Sequence, residues 1–368
     1  MWYLVSMSNS NDTPPFDDPE FSTPDTSGST NQSFIDAEAA GPMISADDNP
    51  LATEPDSVTA EDENARAAEA FRQQLLTRLS RRRRVRLPLT LFLLTCLSTF
   101  WVGATHWSVA PAYPPFRQAI VAHWQDGLLY TVCLIGILLA HEMGHFTMTL
   151  VYRVSASFPY FIPFPFSPIG TMGAVIGMDG TEADRKEIYD IGLAGPLAGL
   201  VVAIPVMWYG ITKLDLTTPA YGAYALDVPL AVRFAFHWLH PAGYSPGKLI
   251  WFSQLNAYFM AGWVGLLVTG LNMLPVSQLD GGHVTYALFG RGAHWIARAF
   301  ILVAIGYIVL AQQWSWVVML LLVLFIGPDH PPTRNDYVPI GRVRYVIGCL
   351  SLAIPLLCFA PKLLVLYP

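Results

Sequence analysis

The chain has 368 residues, of which 53% are hydrophobic and 13% are charged. This composition excludes an ordinary soluble enzyme of this length and also a chain that is disordered throughout. Residues 1–80 hold 15 acidic and 3 basic side chains and residues 81–368 hold 12 and 18, so the net charge of −6 reflects the N-terminal part. Nucleic-acid binding is not expected, because the dense basic run (Arg81–Arg84 with Arg86) abuts an apolar segment.

The first part of the chain is predicted to lie outside the membrane. Residues 1–64 are a predicted disordered acidic tail, since Ser, Thr, Asn, Asp, Pro and Gly dominate and large apolar residues are few. Residues 65–86 are a predicted basic and amphipathic juxtamembrane segment, in which Ala68, Phe71, Leu75 and Leu79 share one helical face. Regulation or partner docking is one role open to this region, and a solvated spacer is the other.

Residues 87–368 are predicted to form an all-α polytopic membrane domain with six to seven transmembrane helices. Its uncharged or nearly uncharged runs cover residues 87–105, 127–152, 188–209, 254–276 and 345–360. Two shorter runs, 299–312 and 314–327, are either a tilted hairpin or one broken element.

The basic residues of the loops predict an orientation. With a cytoplasmic N-terminus and alternating spans, 13 of the 18 Lys and Arg residues after residue 80 fall on the cytoplasmic side and 5 on the far side. This asymmetry favours seven spans and a cytoplasmic N-terminus. A bacterial or archaeal plasma membrane is expected, because the acidic tail is unlike an Arg-rich transit peptide.

The second apolar run carries the sequence His141-Glu142-Met143-Gly144-His145. Ionisable side chains inside a span are costly and usually mark function. On a helix, His141 and His145 lie one turn apart on the same face, so both imidazoles reach one Zn²⁺. Glu142 is placed beside them to accept a proton from an attacking water. The structural alternative is a satisfied pair of polar residues in a helix bundle.

A hydrolytic zinc site needs a third protein ligand. Glu182 and Glu187 lie in a charged loop and are expected to be solvated. Asp280 is the better candidate, because it is the only acid between Asp227 and Asp329 and follows the fourth apolar run. The second and fourth spans run in the same direction, which predicts that the two histidines and the aspartate share a similar depth.

The end of the fourth run contains further unusual residues. Asn272 is polar in an apolar span, where it contacts a substrate backbone or an oxyanion or makes an interhelical hydrogen bond. Pro275, Gly281 and Gly282 predict irregular backbone before and around Asp280. Such backbone survives at membrane depth where protein or a water cavity covers it, which is the setting a hydrolase needs.

These residues resemble the site-2 proteases, a family of intramembrane zinc metalloproteases. The resemblance rests on HEMGH at 141–145 and NMLPVSQLDGGH at 272–283, with DIGLAGPLAGL at 190–200 and AGWVGLLVTGLN at 261–272, in a core from about 125 to 335. It implies one Zn²⁺ per chain held by His141, His145 and Asp280. It also implies Glu142 as general base and Asn272 as a substrate or transition-state contact.

The resemblance has structural implications as well. Residues 160–176 look like the family's membrane-associated β-hairpin and re-entrant region, which pairs with an unwound substrate strand; a hydrophobic loop is the alternative. Residues 210–252 are too short for a PDZ module, so the chain resembles the branch that lacks one. The run at 190–200 is expected to pack the core without chemistry of its own. His330-Pro331-Pro332 with Asp336 receives no role.

The predicted function is hydrolysis of a peptide bond within or near the transmembrane segment of another protein, with membrane-protein substrates and the lipid bilayer as partners. A membrane zinc transporter or receptor using the same site is the alternative, and a catalytically silent scaffold is a third reading that the retained glutamate argues against. A transporter should carry metal ligands at several depths in the membrane.

The remaining histidines are interpreted as ordinary loop or interface residues: His106, His123, His237, His240 and His294.

Overall fold

The computed structural model describes residues 85–107, 116–221, 224–276, 278–327, 329–360, 362 and 364–366. The predicted tail (1–64) and residues 65–84 of the predicted juxtamembrane segment lie outside the described residues, so both stay predictions. Within the described ranges helices predominate, as predicted.

The helices number ten in the described part of the chain. They are α1 (Arg86–Ala104), α2 (Phe116–Tyr152), α3 (Arg185–Thr212), α4 (Leu230–Leu239), α5 (Ala257–Asn272), α6 (Asp280–Phe289), α7 (Gly292–Leu310), α8 (Val317–Ile326), α9 (Arg342–Ser351) and α10 (Ile354–Cys358). Four segments are long and apolar enough to cross a membrane, namely Arg86–Ala104, Ile120–Tyr152, Arg185–Thr212 and Gly292–Leu310. An integral membrane protein is thereby supported, but the predicted six to seven spans are not confirmed.

The side chains of α1 are arranged as lipid requires. Leu93 and Leu97 are more than half exposed on its outer face, whereas Thr95 and Thr99 are buried against the protein. The Thr99 hydroxyl donates to the carbonyl of Thr95 one turn earlier, which satisfies it inside the helix. A helix with its leucines outside and its hydroxyls inside is suited to a hydrocarbon surrounding.

Proline explains why two of the predicted spans are shorter than their apolar runs. The run at 254–276 gives α5, which ends at Asn272 because Pro275 lacks a backbone N–H and disfavours helical backbone before it. The run at 345–360 is divided into α9 and α10 just ahead of Pro355.

The two short runs at 299–312 and 314–327 form two helices, α7 and α8. They are separated by a turn in which Gln312 has a φ of 55°.

The predicted β-hairpin is present. Strands β1 (Tyr160–Phe164) and β2 (Gly170–Val175) pair antiparallel, with Tyr160 opposite Val175. Both neighbouring helices hold it: the Ser98 hydroxyl of α1 donates to the carbonyl of Gly170, and the Tyr130 hydroxyl of α2 donates to that of Ile169 at 2.7 Å. The hairpin is therefore fixed to the membrane helices.

A second sheet was not predicted from the sequence. Strand β3 (Tyr224–Leu226) lies between β4 (Ile250–Trp251) and β5 (Leu364–Leu366), and both pairings are antiparallel. Strands of two or three residues are too short to show an alternating pattern. This sheet joins the α3–α5 connection to the end of the chain.

The charged residues before α3 form a helix cap instead of a solvated loop. The Asp184 carboxylate accepts hydrogen bonds from the backbone N–H groups of Lys186 at 2.9 Å and Glu187 at 2.8 Å, while the Glu187 carboxylate accepts from the N–H of Asp184. Glu182 accepts from the N–H of Ser155 at 2.8 Å. The expectation that Glu182 and Glu187 are solvated is therefore corrected.

Loss of this cap should weaken α3 measurably. We expect Asp184→Ala to lower the free energy of unfolding by about 1 kcal/mol, because two N-terminal N–H groups lose their acceptor. Asp184→Asn, which keeps an acceptor oxygen, should cost less than half as much. Thermal or denaturant unfolding in one detergent compares the two variants, and equal losses would show that capping is not the cause.

Candidate metal centre

Helix α2 carries the two predicted histidine ligands on one buried face. His141 and His145 are separated by one turn, and their exposed fractions are 2% and 4%. Glu142 follows His141 on the same helix and is also buried. The local part of the expectation is therefore present: two imidazoles and a carboxylate lie together inside the protein.

Asp280 brings a carboxylate from a different helix to the same point. Its Oδ2 atom lies 3.2 Å from Nε2 of His141 and 3.3 Å from Nε2 of His145. One ligand atom from each residue lies within 4.8 Å of the other two. The residues that the sequence singled out thus converge, although Asp280 is 135 or more positions further along the chain.

The ring orientation of His145 is set by the backbone of α3. Its Nδ1 atom lies 2.8 Å from the carbonyl oxygen of Ile191. Because a carbonyl oxygen only accepts, Nδ1 carries the hydrogen and donates it to this bond. The lone pair is then on Nε2, the atom nearest Asp280. A backbone carbonyl behind a ligand imidazole is a common means of fixing its tautomer.

Two glycines of α3 make room for the imidazoles. A Cβ on Gly195 would lie 2.0 Å from Nε2 of His145, and one on Gly199 would lie 3.1 Å from Nδ1 of His141. Any other residue at 195 would occupy the position of the His145 ring. The predicted packing role of the 190–200 run therefore takes a specific form, since these glycines lie directly against the candidate ligands.

The chain reaches Asp280 through a buried, irregular segment. After α5 ends, residues 273–276 and 278–279 form turns and bends, and Met273 and Val276 are fully buried. The chain doubles back so closely that a Cβ on Gly281 would lie 2.0 Å from the carbonyl oxygen of Met273. The predicted irregular backbone is present, and protein covers it as such backbone requires.

Helix α6, which begins with Asp280, is held from the side of α3. The guanidinium of Arg185 donates to the carbonyl oxygens of Ala287 at 2.7 Å and Leu288 at 3.2 Å, near the C-terminal end of α6. A cation at this end satisfies free carbonyls and complements the helix dipole. Helix α6 is therefore held at its start, where Gly281 packs against Met273, and at its end by Arg185. These contacts fix the position of Asp280.

Asn272, at the end of α5, lies against the same cluster. Its Nδ2 atom is 3.1 Å from Nε2 of His141, and its Oδ1 atom is buried without a hydrogen-bond partner among the described residues. A buried amide oxygen costs free energy when it has no partner. The amide therefore faces the centre of the site with hydrogen-bonding capacity to spare.

A histidine pair behind Asp280 was missed by sequence reasoning. Nδ1 of His283 lies 2.6 Å from Nε2 of His330, whose ring stacks on Tyr286 with centroids 4.4 Å apart. The Tyr286 hydroxyl donates to Asp336 at 2.9 Å. Burial lowers the pKa of His330 to about 4, so this imidazole is neutral at pH 7. The signal was His283 in LDGGH together with the His-Pro-Pro run, which received no role.

The residues present fit a zinc ion. Two imidazoles and one carboxylate are the donor set of many hydrolytic zinc sites. Gly195 and Gly199 form a cradle for the two imidazoles, and the backbone of Ile191 orients the His145 ring so that its Nε2 atom is nearest Asp280. Glu182 and Glu187 serve backbone N–H groups elsewhere, so Asp280 is the acid that completes the cluster.

A model of peptidase family M50 matches residues 129–311, a range that holds all five site residues. The chain belongs to this family. M50 is the site-2 protease family, so the resemblance found in the sequence is confirmed. The family match and the names of the relatives support the interpretation of this chain as a zinc metalloprotease.

Plant proteins are among the relatives of this M50 chain. It is 29% identical over 259 residues to "Probable zinc metalloprotease EGY1, chloroplastic" of Arabidopsis thaliana, covering 67% of this chain and 45% of the relative. It is 27% identical over 245 residues to the protein named EGY2 of the same plant, covering 64% and 41%. The chain thus spans less than half the length of these relatives.

Proposed function

We propose that this M50 chain is an intramembrane zinc metalloprotease that hydrolyses a peptide bond within or near the transmembrane segment of other membrane proteins. The observation that carries the proposal is the convergence of Asp280, from α6, with His141 and His145 of α2, a helix long and apolar enough to cross a bilayer. A protease centre buried in such a helix reaches a substrate that is itself in the membrane.

We assign the metal to His141, His145 and Asp280, and the proton transfers to Glu142. When bound, zinc supplies Lewis-acid activation of water and of the scissile carbonyl. The Glu142 carboxylate accepts a proton from the attacking water and returns it to the leaving amine. The Asn272 amide, 3.1 Å from His141, donates to the substrate carbonyl oxygen as negative charge develops on it.

The substrate has to present an extended peptide to this site. Amides inside a helix are shielded by their own hydrogen bonds, so the substrate span must unwind locally. Among the described residues the β1–β2 hairpin pairs with no third strand, and we propose that an unwound substrate segment adds to it as a further strand. Substrate spans that contain Gly or Pro should therefore be cut faster than uninterrupted leucine helices.

The orientation and compartment are also proposals. Loop charge favours a cytoplasmic N-terminus, and a bacterial or archaeal plasma membrane is one proposed compartment. The names of the relatives EGY1 and EGY2 place those proteins in chloroplasts, so a plastid membrane is the other compartment to test.

Cleavage by the purified full-length chain in liposomes tests the proposal. We expect single-span substrates to be cut only when zinc is present, with mass spectrometry locating the cuts in or near the span. A substrate pair that differs by a Gly-Pro insertion provides the matched comparison. Zinc accumulation inside the liposomes without any cut would favour the transporter alternative and overturn the protease.

A further inference from the structure

A second cluster of potential metal ligands lies at the other end of α2. Nε2 of His106 is 2.9 Å from Nδ1 of His123, and Oδ2 of Asp126 is 3.6 Å from each of these nitrogens. Residues interpreted from the sequence as ordinary loop or interface histidines therefore converge with a carboxylate. From Asp126 to His141 is about 22 Å along the helix, at about 1.5 Å per residue, so the clusters are separate.

The backbone after α1 aims His106 at α2. His106 and Trp107 have φ values of 49° and 57°, a left-handed conformation that non-glycine residues adopt at a cost. Trp107 is buried with an exposed fraction of 1%, and its ring packs edge-on against Tyr130 with centroids 6.0 Å apart. The buried tryptophan therefore holds the turn that presents the neighbouring imidazole.

The backbone near the start of α2 is also irregular beside this cluster. His123 has φ −129° and ψ 23°, which interrupts the helix three residues before Asp126. Next to Asp126, a Cβ on Gly127 would lie 2.7 Å from the carbonyl oxygen of Phe100 in α1. The two helices therefore touch directly beside the cluster. Packed helices, together with a buried anchor, determine where the three side chains lie.

We propose that His106, His123 and Asp126 form a second divalent-metal site, with Zn²⁺ as its occupant. Ligands about 2.0–2.1 Å from a tetrahedral zinc lie about 3.3–3.4 Å apart. The three distances of 2.9, 3.6 and 3.6 Å bracket this spacing, and they also bracket the 3.2 and 3.3 Å of the His141–His145–Asp280 cluster. Two imidazoles and a carboxylate suit zinc better than Mg²⁺ or Ca²⁺, which prefer oxygen.

This site is partly exposed. The side chains of His106, His123 and Asp126 are 39%, 44% and 40% exposed, whereas the catalytic ligands are buried. Its ion exchanges with the surroundings and ties the end of α1 to the start of α2. The role is structural: the ion stabilises the folded protein against the unfolded chain. The chain then binds a second zinc beyond the single one predicted from its sequence.

A hydrogen-bonded histidine pair is the competing account of the 2.9 Å contact. Metal content of the full-length protein, equilibrated with buffered free zinc, separates the two accounts. We expect about two zinc ions per chain in the wild type and about one in His106→Asn and in Asp126→Asn. Asparagine is chosen at position 106 because it tolerates left-handed backbone.

His240 provides the matched control. It also has a left-handed φ, of 42°, and it belongs to no ligand cluster among the described residues. His240→Asn should retain about two zinc ions per chain. Zinc should raise the unfolding midpoint of wild type and His240→Asn more than that of Asp126→Asn, which is a readout independent of activity.

Two outcomes overturn this site. One is about one zinc per chain in the wild type, unchanged in His106→Asn; the other is about two zinc ions in both His106→Asn and Asp126→Asn. Asp126→Asn carries the test should His106→Asn misfold, since it replaces a helical residue by one of the same shape. Cleavage activity enters neither outcome, so the proposed function and this site fail separately.

Discussion

Glu142→Gln should abolish peptide cleavage and leave zinc in place. Glutamine keeps the size of the side chain but cannot accept a proton, and general-base catalysis is worth about 10²- to 10⁴-fold in rate. None of the three proposed metal ligands is altered. Cleavage rates in liposomes and zinc content measured on the same preparation test the two halves of this expectation.

Glu182→Gln is the control for that experiment. Glu182 accepts a hydrogen bond from the N–H of Ser155 at the surface of the hairpin region, a role that an amide oxygen also fills. The cleavage rate of the Glu182→Gln variant should stay within about twofold of wild type. Near wild-type cleavage by Glu142→Gln would remove Glu142 as general base, and loss of zinc in that variant would give it a structural role instead.

Gly195→Ala should remove zinc and activity together. The added methyl group would lie 2.0 Å from Nε2 of His145, the atom that faces Asp280. The His145 ring must move, or α3 must shift away from α2, and either change separates the ligands. We expect zinc affinity and cleavage to fall about 10- to 100-fold, as they do when groups that orient metal ligands are lost.

Gly136→Ala tests whether any added methyl group has this effect. Gly136 lies in α2 near the ligands, and a Cβ there would meet nothing within 4 Å. Alanine should be neutral or stabilising by about 0.5–1 kcal/mol, because glycine is the poorer helix former. Wild-type zinc content in Gly195→Ala would contradict the cradle that we describe.

Local spacing explains why part of the site was predictable. His141 and His145 are one helical turn apart, so the sequence alone places them on one face. Asp280 was found because acids are scarce in the apolar part of the chain and because its surroundings resemble a known family. The roles of these residues follow from chemistry and stay proposals until variants are measured.

Contacts between distant segments explain what was not predictable. His283 and His330 lie 47 residues apart, and their meeting depends on the loop that follows α8. His106 and His123 meet because a buried tryptophan fixes a left-handed turn, for which no sequence pattern exists. The short strands and the break in the run at 345–360 escaped for a related reason, since apolar composition does not reveal where a helix stops.

The way the chain doubles back before Asp280 bears on how the protein matures. Two histidines on one helix make a weak chelate as soon as α2 forms, but the aspartate arrives only after α5 and α6 have docked and Gly281 has closed on Met273. Tight retention of zinc at the proposed site thus requires α5 and α6 to be docked. We therefore expect a newly made chain to lack the proposed proteolytic activity until its tertiary structure is complete.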